Sequence, residues 1–213
     1  MTRTLWLYFP VIAAALLQGC APVLIGAGGA MAYSSLEDRR SAGVQFDDEG
    51  IELRAANRIT ERYADAVHIN ATSYNRLVLL TGEVPDARAR EDVEKIARAV
   101  PGVRGVTNEL EVAGVSSLGA RTNDSFVTSK VKASLFDAGK FSSVHVKVVT
   151  ENGIVYLLGI VTEAESNQAA DIARTVAGVR KVVKVFELCK PTDEICRPRQ
   201  KAPAEPQKPK PAA

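Results

Sequence analysis

Apolar residues recur along the middle of the chain at two alternating spacings. Ile51, Ala55, Ile59 and Tyr63 stand four apart and predict one face of a helix. Short apolar runs follow near 67–72 and 77–83 and predict strands. Asp86 is placed to cap a helix over 87–100, and a further strand is expected near 104–112. The same order then returns. Asn123 or Asp124 is a candidate cap for a helix whose core positions are Val127, Val131 and Leu135, and Gly139 ends it. Val144, Val146 and Val148 alternate with polar residues at strand spacing. Asn152-Gly153 predicts a hairpin turn, with the return strand over 154–161. Thr162 and Glu165 form a capping box for a helix running to about 176, Gly178 suits its left-handed end, and the last strand is expected over 179–186.

The second set of elements repeats the first in sequence as well as in order. Val67-His68-Ile69 matches Val144-His145-Val146 at a shift of 77, and Leu79 to Val84 matches Tyr156 to Val161 at the same shift. Pro101-Gly102-Val103 matches Ala177-Gly178-Val179 at a shift of 76, so one residue is lost within the second unit. Each unit reads αββαβ. A strand–helix–strand step makes its second and third strands parallel, while the hairpin makes its first two antiparallel. The fold class expected is therefore α+β: two tandem units, each a three-stranded mixed sheet with two helices on one face.

Composition changes the picture at the two ends. Arg3 precedes an apolar run over 5–17 that is too short to span a bilayer comfortably. Leu16-Leu17-Gln18-Gly19-Cys20 resembles a lipobox, in which the thiol of Cys20 takes the lipid after cleavage before it. Glycines at 19, 26, 28 and 29 and Pro22 disfavour one long membrane helix through this region. Ala21 follows the cysteine where an Asp would signal retention at the inner membrane, so the outer membrane is expected. Two cysteines remain, Cys189 and Cys196. In an oxidising compartment an even pair favours a disulfide, with two free thiols or pairing with another chain as the alternatives. Residues 197–213 hold five Pro and five basic residues against one acid and are expected to be disordered. The formal net charge of +2 thus combines a mildly acidic body with a basic tail, and gives no reason to expect nucleic-acid binding.

Candidate chemistry is sparse. His68 and His145 hold equivalent places in the two repeats, pointing away from the Val and Ile rows. No acid lies nearby in sequence to orient either ring, so a solvated sheet face or an interdomain contact is expected. No catalytic residue, metal site or cofactor is anticipated. Gly82 and Gly159 stand outside any phosphate-loop pattern and read as close backbone approaches at a strand end. The best surface candidate is the opening helix of the second unit. Phe126 and Lys130 lie four apart on one face, and Lys132 is near. An aromatic ring with ammonium groups suits a bilayer carrying anionic headgroups. The competing reading places Phe126 in the core, with the lysines on a solvated face.

The αββαβ order, the Gly82 and Gly159 steps and the Gly-Val steps at Gly102 and Gly178 resemble BON domains. Two such domains behind a lipobox resemble the dual-BON outer-membrane lipoproteins. The hairpin between Ile69 and Leu80, Asn123-Asp124-Ser125-Phe126 and the stretch from Val148 to Gly153 strengthen the likeness, which covers roughly 16–186. The expected organisation is a signal peptide over 1–19, a lipidated tether over 20–49 and a first domain over 50–113. A linker over 114–122, a second domain over 123–188, a disulfide loop over 189–196 and the tail follow. The resemblance implies a non-enzymatic protein on the periplasmic face of the outer membrane. It also implies binding of anionic phospholipid through the opening helix of the second domain, with Phe126 where the family carries Trp, and support of envelope integrity at division sites. The alternative is an adaptor for an envelope assembly or cell-wall partner. The loop between Cys189 and Cys196 and the basic tail depart from the family.

Overall fold

The computed structural model describes residues 38–196. The expected signal peptide, Cys20 and the tail lie outside the described residues. The first helix, α1, spans Ala42–Tyr63. It begins at a Ser41 cap inside the stretch assigned to the tether, so that boundary moves toward the N-terminus. Strands β1 (His68–Tyr74) and β2 (Leu77–Val84) form an antiparallel hairpin. Helix α2 (Ala87–Arg98) is capped by Asp86, as its sequence signal indicated. The third strand is split: β3 (Gly105–Asn108) and β4 (Glu111–Val112) both run parallel to β2, with Leu110 buried at the break.

The second unit opens with α3, Leu118–Ala138, capped by Ser117 rather than by Asn123 or Asp124. Most of the expected linker is therefore helix. A 3-10 turn at Ser143–His145 precedes β5 (Lys147–Glu151), so the first strand starts later than the valine alternation suggests. β6 (Ile154–Val161) pairs antiparallel with β5 and parallel with β7 (Lys181–Leu188). Between them, α4 (Glu163–Arg174) carries the Thr162–Glu165 capping box.

Each unit has its own core between helices and sheet. Ile51, Ala55 and Ile59 of α1 meet Val78, Leu80 and Val84 of β2 and Val93 and Ala97 of α2. Val127, Val131 and Leu135 of α3 meet Val155, Leu157 and Val161 of β6 and Ala169 and Ala173 of α4. A third cluster lies on the other face of the strands, where Tyr74 and Leu79 of the first sheet pack with Tyr156, Leu158 and Ile160 of the second. The two sheets thus face each other, with helices on both outsides. This explains why β2 and β6 are apolar along nearly their whole length: each is covered on both faces. Burying these side chains stabilises the fold by about 25 cal/mol for each Å² of apolar surface removed from water, and the central cluster shares that gain between the two units.

Gly82 and Gly159 hold the equivalent tight spots. A Cβ on Gly82 would stand 2.0 Å from the His68 carbonyl oxygen, and one on Gly159 2.2 Å from that of His145. No side chain fits there, which confirms the close-approach reading of both glycines.

Candidate functional site

Helix α3 has one face in the core and one turned outward. Val127, Val131 and Leu135 are fully buried and fix its orientation. Opposite them stand three large apolar side chains, Leu118 at 78 %, Phe126 at 62 % and Phe136 at 74 % exposure. At about 100° per residue, Leu118 and Phe136 share one line along the helix and Phe126 sits about 80° round from it. Phe126 therefore belongs to the surface, not to the core. Lys130 Nζ lies 4.9 Å from the Phe126 ring centroid, a cation–π contact, and also donates to the Ala177 carbonyl. Lys132 does not join that pair. It is about 120° round from Phe126, on the far flank of the apolar crest. The two lysines thus border the exposed side chains from opposite sides. This arrangement can present three separate apolar side chains to acyl chains, with ammonium groups at headgroup level.

The second polar feature lies between the two sheets. Register places His68 directly opposite Glu83 in the β1–β2 ladder. Packing of the second unit brings Glu151, at the end of β5, to the same place, with His68 Nε2 3.6 Å from its Oε1. Asn70 donates to Glu151 Oε2 at 2.8 Å and Thr81 at 3.4 Å. Glu83 accepts from the Ser116 backbone N–H at 3.2 Å. Both carboxylates are over nine-tenths buried. Burial pushes the Glu151 carboxyl above its ordinary range; the Asn70 bond opposes this, and the charges of Glu83 and Asp124 reinforce it. Burial lowers the His68 pKa, and the positive charge of Arg121 acts the same way. Among the described residues, His68, Glu83 and Glu151 form a group able to offer a metal ion one donor each, all within 4.8 Å of one another. His68 therefore sits at an interdomain contact, one of the two places expected for it, with two acids beside it that lie far from it in sequence. The missed signal was a Glu inside each apolar hairpin.

His145 lies apart from this cluster. Its Nδ1 is 3.8 Å from Glu165, which also accepts two hydrogen bonds from Arg39 at 2.8 and 3.0 Å. Arg39 donates further to the carbonyls of Ile160 and Cys196. Cys189 and Cys196 are joined by a disulfide with their Cα atoms 6.1 Å apart. The segment ahead of α1 and the disulfide loop thus meet on the second unit.

Comparison with known proteins matches the BON domain model to residues 47–114 and 123–190. Outer membrane lipoprotein DolP of Haemophilus influenzae is 42% identical over 173 residues, covering 80% of this chain and 89% of its own. The 21 kDa hemolysin of Actinobacillus pleuropneumoniae is 37% identical, covering 70% of this chain and 78% of its own. Osmotically-inducible protein Y of Escherichia coli is 36% identical, covering 64% and 70%.

Proposed function

Because the chain belongs to the BON-domain family, as a dual-domain outer-membrane lipoprotein, we propose that it binds anionic phospholipid through the outer face of α3. It thereby supports outer-membrane integrity at sites of cell division. Its place is the outer membrane, lipid-anchored and facing the periplasm. No described helix is long and apolar enough to cross a membrane.

The observation that carries the reading is the apolar crest of Leu118, Phe126 and Phe136 on one helix, with Lys130 and Lys132 on its flanks. Surface residues of this size, set along about 27 Å of one helix with small hydroxyl residues between them and cations on the flanks, suit a headgroup–acyl boundary. Attachment then has two parts. The acyl chains on Cys20 hold the protein in the periplasmic leaflet of the outer membrane, and α3 selects regions rich in anionic lipid. One shallow helix face binds weakly, and the anchor supplies the effective concentration that makes weak contacts count.

Co-sedimentation of residues 21–213, free of acyl groups, with phosphatidylglycerol vesicles tests the proposal. Binding is expected to weaken with added salt and to be lost in Phe126→Glu. Equal binding by Phe126→Glu and the parent would show that this face is not the contact.

A further inference from the structure

The carboxylates of Glu83 and Glu151 are buried side by side between the sheets without an arginine or lysine among their hydrogen-bonding or ion-pair partners in the described residues. Those partners are Asn70, Thr81, the Ser116 N–H and the His68 ring. Two neighbouring buried negative charges are costly unless a proton or a cation relieves them. We propose that His68, Glu83 and Glu151 form a binding site for a divalent transition-metal ion of the zinc class, at the junction of the two BON domains.

The donor set points to that class of ion. One imidazole nitrogen with two carboxylates suits zinc and its neighbours, whereas calcium and magnesium take oxygen donors alone. Zinc bonds of about 2.0–2.2 Å place tetrahedral donors about 3.3 Å apart. The three donors already lie within 4.8 Å of one another, so closing on an ion asks each for a shift of about 1 Å. The backbone fixes two of the three, because His68 and Glu83 face each other across the hairpin. Glu151 completes the set only when the second unit is docked on the first. Water takes the fourth position. The bound ion would neutralise the carboxylate pair and tie the two domains together. Arg121 opposes positive charge at the ring, while Asp124 adds to the negative potential at Glu151.

The test uses the full mature chain in detergent, stripped with chelator and titrated with zinc chloride by calorimetry. One equivalent of zinc is expected, with a rise in thermal midpoint on binding. His68→Ala is expected to lose at least tenfold in affinity, and His145→Ala to bind like the parent. Glu151→Gln keeps the shape of the side chain and carries the same test should His68→Ala melt early in chelator. Absence of zinc binding in the parent, or undiminished binding in both His68→Ala and Glu151→Gln, overturns the proposal.

Discussion

Glu165 holds three parts of the chain at once. It closes the α4 capping box through Thr162, accepts two bonds from Arg39 and faces His145. Burial works to raise its pKa, but Arg39 and the Thr162 donors outweigh it and leave the carboxyl below its ordinary range. A folded-state pKa below the unfolded one gives stability that is present above the ordinary carboxylate range. That stability is lost as pH falls through the depressed value. The thermal midpoint of the parent is therefore expected to fall more steeply in acid than that of Glu165→Gln. The gap between the two should close below the depressed pKa, in melts taken from neutral pH to about pH 3. Of this latch only the capping box was legible in the sequence. Arg39 and Glu165 are 126 residues apart, and only the docked chain brings them together.

Two buried aspartates do at the level of elements what a helix cap does at the level of a turn. Asp48 in α1 accepts from the backbone N–H groups of Asn75 and Arg76 in the first hairpin turn. Asp124 in α3 accepts from those of Asn152 and Gly153 in the second, at 2.8 and 2.9 Å. Each opening helix is thus bonded to the hairpin of its own unit. Asp124→Ala strands two turn donors and is expected to cost about 2–3 kcal/mol of stability, with Asp124→Asn losing less. Chemical denaturation measures the difference, and faster amide exchange at Gly153 would localise it. These aspartates also explain which boundaries the sequence pattern missed. The cap of α2 stands just ahead of its first core residue, Ala89, and that of α4 carries the capping box of Thr162 and Glu165, so both were readable. In α1 and α3 the first inward residue is polar, Asp48 or Asp124, and the turns before it carry no core side chain. The apolar period therefore starts at Ile51 and Val127, well after the helices do.

At the scale of the whole molecule, two similar units are joined through the backs of their sheets. Lys147 of the second unit reaches Glu52 at 2.6 Å, and Asn75 of the first donates to Glu187 at 2.7 Å, around the apolar cluster of Tyr74, Leu79, Tyr156 and Leu158. The repeat was visible in the sequence, as was the αββαβ order within it. The face-to-face packing was not, since strand alternation shows that a face is polar or apolar but not what covers it. The packing leaves the helices outward on both sides and so exposes α3 along its length. The membrane reading depends on this exposure. The single Trp of the chain is Trp6, in the stretch expected to be removed as a signal peptide, so Phe126→Trp in residues 21–213 places one reporter in the protein. Its fluorescence with vesicles tests the central claim most directly, alongside a control with Phe46→Trp, a somewhat more exposed position on α1. The account predicts a blue shift for Trp at 126 with phosphatidylglycerol vesicles, none with phosphatidylcholine, and none for Trp at 46. An unshifted spectrum at 126, or equal shifts at both positions, would contradict it.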